Sequence, residues 1–233
     1  MHRSFEDDLD KLRTRLIRMG SLVEEQVEFA IRALLEGKKE LAQLVMERDD
    51  KVDKLDMKID KQCQRIFALH QPVASDLRSL LVALKLNNEL ERIGDLAFNI
   101  CKQMLTMNDC AAFCERLGLQ KATQATFTMV KSALDAFVNN DPNLAYQVMR
   151  TDHQVDAATK DISANVVRLM QENSALVENG VAMVVVLRNL ERMADQAANI
   201  AENVIFLVEA KLVRMSPSGR LEEGSADTEP LVL

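Results

Sequence analysis

The chain has 233 residues, a formal net charge of −7, 48% apolar residues and only 4% aromatic ones, with no Trp. A chain this long buries roughly 70% of its unfolded surface, so it needs no disulfide or structural metal to fold. The acidic balance and the absence of a basic stripe with interleaved aromatics exclude a polynucleotide-binding surface.

The apolar residues are mostly Leu, Val, Ile, Ala and Met, types that fill helix interfaces better than strands. Seven Gly and four Pro leave few places to turn. A first helix starts near Ser4 and closes at Gly37-Lys38-Lys39. A second closes at Gln71-Pro72, and a third ends where the connection from Asn108 to Leu119 begins. Asn139-Asn140-Asp141-Pro142 and Glu172-Asn173-Ser174 mark two further breaks, which makes six long helices. In the third helix Ala83, Leu86, Leu90, Ile93, Ala97, Ile100 and Met104 step by three and four. Val186, Leu190, Met193, Ala197, Ile200 and Val204 do the same in the sixth, and each stripe predicts one buried face. From Ser216 on, Pro, Gly, Ser and Glu dominate, and residues 216–233 are expected to be a disordered tail. The longest uncharged stretch, Ile66 to Ser75, is too short to span a bilayer, and the N-terminus lacks a signal-peptide core. Cys63, Cys101, Cys110 and Cys114 show no secreted-scaffold spacing and read as free thiols in a reducing cytoplasm.

An internal repeat organises the chain. Leu90-Glu-Arg-Ile-Gly-Asp-Leu-Ala-Phe-Asn-Ile100 matches Leu190-Glu-Arg-Met-Ala-Asp-Gln-Ala-Ala-Asn-Ile200 at seven of eleven positions, 100 residues apart. Val45, Met46, Asp49, Val52, Asp53 and Ile59 match Val148, Met149, Asp152, Val155, Asp156 and Ile162 at an offset of 103. The expected architecture is all-α: two tandem three-helix bundles, residues 1–108 and 109–215, related by a pseudo-twofold.

Duplication also filters the charges, because a surface charge without a role drifts between copies. Lys51 and Lys54 become Gln154 and Ala157, whereas Asp49 and Asp53 persist as Asp152 and Asp156, and Glu91 and Asp95 persist as Glu191 and Asp195. Each pair is spaced i, i+4, which puts both carboxylates on one helix face. Asn99 and Asn199 extend the line by one more turn, and in the first copy Asp56 and Asp60 lengthen it. Oxygen donors from two helices suit hard or borderline cations such as Mg²⁺, Mn²⁺, Ca²⁺ or iron. The alternative is a solvated face, with Arg92 and Arg192 paired to the acids. Cys110-x3-Cys114 hints at zinc, but it has no counterpart in the second copy and no His nearby. His70 and His153 belong to no nucleophile pattern, and no Gly-rich phosphate loop exists.

Two three-helix bundles with an (E/D)xxxD pair on their second and third helices resemble the PhoU family of phosphate-signalling regulators. The matching residues are Asp49-x3-Asp53, Glu91-Arg-Ile-Gly-Asp95, Asp152-x3-Asp156 and Glu191-Arg-Met-Ala-Asp195. The opening Phe5-Glu-Asp-Asp-Leu9 is also similar to the family's start, and the resemblance covers about residues 1–215. It implies a cytoplasmic, non-enzymatic negative regulator of phosphate uptake and of the phosphate-starvation response, commonly a homodimer. The implied partners are the ATPase subunit of the phosphate ABC transporter and a phosphate-responsive sensor histidine kinase. No nucleic acid and no direct membrane insertion are expected. Metal ions (Mg, Mn, Fe or Zn) are the implied cofactors, ligated by Asp49, Asp53, Glu91 and Asp95 in the first repeat and by Asp152, Asp156, Glu191 and Asp195 in the second. Two other classes compete: a structural helical metal-binding protein and a carboxylate-bridged di-metal enzyme. The enzyme needs Glu-x-x-His pairs, and none of the three His has an acid three residues before it.

Overall fold

A computed structural model describes residues 2–216 and 221–223. Three long helices come first: α1 (His2–Glu36), α2 (Lys39–His70) and α3 (Ala74–Met104). A short α4 (Cys110–Leu117) leads into α5 (Gln120–Asn139), α6 (Pro142–Glu172), a 3₁₀ turn (Ser174–Leu176) and α7 (Val177–Glu209). Val213–Met215 (β1) and Leu221–Glu223 (β2) pair antiparallel, with Arg214 opposite Glu222.

Each break follows from local chemistry. Gly37 ends α1 in the left-handed region (φ 67°) and lets Lys38 N–H reach back to the Ala33 carbonyl at 3.1 Å, a Schellman closure. Asn140 (φ 49°) ends α5 in the same way, with Asp141 N–H on the Ala136 carbonyl at 2.9 Å. Asp141 then caps α6, its Oδ1 accepting from the N–H groups of Asn143 and Leu144 at 2.9 and 3.1 Å, and Pro142 occupies the first turn. A Cβ at Gly37 would be held at positive φ, so Gly37→Ala is expected to cost about 1 kcal/mol. Thermal denaturation would show this as a fall of about 2–4 °C.

The two expected stripes are the core. Leu90, Ile93, Ala97, Ile100 and Met104 of α3 and Leu190, Met193, Ala197, Ile200 and Val204 of α7 are all at most 2% exposed. They belong to one continuous cluster with residues of α1, α2, α5 and α6. α1, α2 and α3 pack on one another, as do α5, α6 and α7, and the two bundles meet where α3 packs on α7 and α1 on α5. Arg13 of α1 ties this seam, donating from Nη2 to the Val138 carbonyl at 3.0 Å while its guanidinium covers the Phe137 ring.

Two expectations need correction. The Asn108–Leu119 connection is not a plain break, because Cys110, Phe113, Cys114 and Leu117 bury one face of α4. The segment from Ser216 is not uniformly unstructured, since Leu221–Glu223 pairs with Val213–Met215 and Leu221 packs against the core. Residues 217–220 and 224–233 lie outside the described residues. Among the described residues no helix is long and apolar enough to cross a membrane.

Candidate functional site

The four acids of the first repeat are brought together across α2 and α3. Asp49 and Glu91 are half-buried at the helix contact, while Asp53 and Asp95 stand outside them and are exposed. The second repeat copies this arrangement: Asp152 and Glu191 are half-buried, Asp156 and Asp195 exposed. Their mutual influence shows the convergence. Burial pushes the Asp49 carboxyl up to about 6, and the charges of Asp53 on its own helix and Asp95 on α3 add to the effect. Burial pushes Asp152 to the same value, with Asp156 and Asp195 adding to it. Glu91 is raised by burial and then by Asp95, Asp56 and Asp53; Asp95 by burial and Asp53; Asp195 by burial, Asp156 and Glu191.

These acids are not laced with cations. Among the described residues none of the eight forms an ion pair within 4 Å. Arg92 and Arg192 are exposed and only ease the carboxylates from a distance.

The supporting shells differ between the repeats. In the first, Gln26 of α1 is 1% exposed and donates from Nε2 to Asp49 Oδ1 at 3.4 Å, while its own Oε1 is buried without a hydrogen-bond partner. Gly94 makes room for this contact: a Cβ there would stand 3.3 Å from Gln26 Oε1 and 3.5 Å from Asp49 Oδ1. Asn87, fully buried, donates from Nδ2 to Asp56 Oδ1 at 2.6 Å and Asp60 Oδ1 at 3.1 Å. The second repeat has Met129, Ala194 and Leu187 in place of Gln26, Gly94 and Asn87. There Asp152 Oδ1 is buried without a partner, and buried Thr159 donates to Glu191 Oε1 at 2.6 Å. Thr159→Val removes this charge-assisted bond and is expected to cost about 1–2 kcal/mol, read as a lower melting temperature.

Gln26, Asn87 and Thr159 escaped the sequence reading because each differs from its counterpart, and the repeat selects only what persists. Asn199 belongs elsewhere than expected. Its Nδ2 donates to Glu89 Oε2 at 3.4 Å across the α3–α7 seam.

The donor chemistry fits a hard cation. All eight acids offer oxygen from facing helices, and the unpartnered oxygens of Asp152 and Gln26 are the kind a cation would satisfy. In the present rotamers, no group of three His, Cys, Asp or Glu among the described residues converges to hold one ion. The backbone places the donors; rotation of the outer Asp53, Asp95, Asp156 and Asp195 side chains would have to complete a coordination sphere.

A family model described as "PhoU domain" matches twice, over residues 16–104 and 119–204. The chain is 36% identical over 228 residues to a phosphate-specific transport system accessory protein PhoU homolog of Pseudomonas aeruginosa, covering 95% of this chain and 92% of that one. It is 33% identical over 207 residues to the phosphate-specific transport system accessory protein PhoU of Escherichia coli, covering 89% and 86%. Among solved structures, PhoU from Pseudomonas aeruginosa superposes with a TM-score of 0.81 at 36% identity, over 88% of this chain and 99% of that one. The phosphate transport system regulatory protein PhoU from Streptococcus pneumoniae superposes with a TM-score of 0.82 at 28% identity, over 90% and 99%.

Proposed function

The chain belongs to the PhoU family, and on that premise we propose that it is a cytoplasmic negative regulator of phosphate uptake and phosphate-starvation signalling. It works without catalysis, as an adaptor between the ATPase subunit of the phosphate ABC transporter and a sensor histidine kinase. The observation that carries this reading is the double match of both repeats to the family, together with relatives named as accessory proteins of phosphate transport over most of both chains.

The chemistry of the acidic clusters is compatible with the adaptor role. The conspicuous polar feature is a pair of carboxylate clusters, which hold cations rather than transform a substrate. Partner contact is served by long helical faces, among them the exposed row Val177, Val181, Val184 and Val185 on α7, which are 39–58% exposed. Asp49, Asp53, Glu91 and Asp95 would hold one divalent or iron site, and Asp152, Asp156, Glu191 and Asp195 the other. The bound charge would offset carboxylate repulsion and stiffen the α2–α3 and α6–α7 contacts. A homodimer would double both the sites and the contact surface.

The test is a deletion in the host grown in abundant phosphate, with a starvation-response reporter and total cell phosphate read together. Derepression and phosphate overaccumulation, both restored by the intact gene, are the expected result. Flat readouts would remove the regulatory role and leave a duplicated helical protein with acidic sites.

A further inference from the structure

All four thiols are buried, but only two of them meet. Cys63 on α2 and Cys101 on α3 stand alone, and burial pushes each thiol up to about 12. Cys110 and Cys114 lie one turn apart on α4 with their Sγ atoms 3.8 Å from each other. Both S–H groups point at the same acceptor, the Leu34 carbonyl, at 3.4 and 3.5 Å. That carbonyl lies in the last turn of α1, where main-chain oxygens have no partner within the helix. Two thiol donors therefore close the end of the first repeat's leading helix from the connector to the second repeat. The connector itself is short. α4 has eight residues, begins after a left-handed Asp109 (φ 47°) that makes no side-chain cap, and ends at a left-handed Gly118 (φ 66°).

We propose that Cys110 and Cys114 form a redox-responsive dithiol that a peroxide oxidises to an intrahelical disulfide, releasing the end of α1 from α4. Cys110 is 5% exposed and Cys114 1%, so the peroxide reaches Cys110 first. The neighbouring Cys114 also holds the Cys110 thiol below its ordinary range, because its S–H can turn from the Leu34 carbonyl to a Cys110 thiolate 3.8 Å away. The Cys110 thiolate attacks one peroxide oxygen; the O–O bond breaks, hydroxide leaves and takes up a proton as water, and a sulfenic acid remains. The Cys114 sulfur then attacks the Cys110 sulfur, the S–O bond breaks, and the thiol proton leaves with the oxygen as a second water. Two thiols are oxidised by two electrons and one peroxide is reduced to two waters.

The product cannot keep the present geometry. A disulfide needs Cβ atoms about 3.5–4.5 Å apart, whereas residues one helical turn apart hold theirs at about 5–6 Å. α4 must give locally, and Leu34 loses both of its S–H donors. A bridge formed at such a cost is readily reduced, which suits a reversible switch.

The experiment exposes the full chain to hydrogen peroxide under native conditions, then denatures, alkylates and digests it with trypsin. Cleavage after Lys102 and Arg116 places both cysteines in one peptide. That peptide is expected two hydrogens lighter with neither cysteine alkylated, reverting with dithiothreitol, while Cys63 and Cys101 stay alkylated. Amide exchange at the Leu34–Lys38 end of α1 is expected to speed up roughly tenfold in the oxidised chain. Cys114→Ser, which keeps a hydroxyl donor, should stop at a Cys110 sulfenic acid trapped by dimedone, and Cys110→Ser should show neither product. Alkylation of all four thiols after treatment, or loss of Cys63 and Cys101 at the same rate, would overturn the dithiol. A disulfide with unchanged exchange at the end of α1 would overturn the release.

Discussion

Replacing Glu91 by Gln together with Asp95 by Asn is expected to remove about half of the metal that the chain carries when purified without chelator. Glu191→Gln with Asp195→Asn should remove the other half. The pairs lie on different bundles, so the two losses should add. The first double variant should also stabilise the metal-free chain by about 1 kcal/mol, because burial and neighbouring carboxylates raise both Glu91 and Asp95, with solvent screening most of the effect. Asp50→Asn is the internal control. Asp50 sits between Asp49 and Asp53 in sequence, but its side chain is 81% exposed and lies 3.9 Å from Lys54. It should change neither readout. Metal analysis and chelated melting curves on the same preparations decide the matter: unchanged stoichiometry in both double variants would reject the eight acids as ligands.

The clustering of those eight acids on facing helices was legible in the sequence because both copies keep the same i, i+4 pairs while neighbouring charges change. The long helices were legible for a related reason. Their stripes run for six or seven steps, and Gly37, Pro72 and Pro142 interrupt them at turns. α4 was hidden because eight residues give barely two turns of periodicity, and its apolar positions are partly Cys, which read first as chemistry. The β1–β2 ribbon was hidden because three-residue strands carry no alternation, and the Pro-Ser-Gly between them resembles an unstructured tail. Asn199 was misplaced for a geometric reason. Each step of four residues overshoots a full helical turn by about 40°, so Asn199, two steps beyond Glu191, has rotated about 80° off the acidic face toward α3. The amide and hydroxyl groups that hold the acids, Gln26, Asn87 and Thr159, depend on which side chain stands opposite, and one sequence does not contain that pairing.

Stability of the metal-free chain is expected to fall as the pH rises from about 4 to about 7. Asp49 and Asp152 titrate near 6 in the fold and near the ordinary Asp value of about 3.9 when unfolded. Between those values the native state holds more protons than the unfolded one, so unfolding free energy decreases with pH. A shift of about two units corresponds to about 3 kcal/mol per group unscreened, and both groups are partly solvated, which leaves about 1 kcal/mol each. The melting temperature of the chelated chain should therefore drop by about 4–8 °C across the window. Asp56, Glu91, Asp95 and Asp195, raised chiefly by burial, push in the same direction. The difference between the chain and its Asp49→Asn, Asp152→Asn variant isolates the effect from every other titration. A cation at these sites reverses the sign, because the same protons must leave before the carboxylates can ligate it. Saturating Mn²⁺ should then give stability that rises over the interval where the chelated chain loses it, the two melting curves coinciding near pH 4 and diverging as the pH rises past the folded-state pKa. Parallel curves would mean that the cation binds away from Asp49 and Asp152, and a chelated chain that gains stability toward neutral pH would mean that these two carboxyls are not desolvated in the fold.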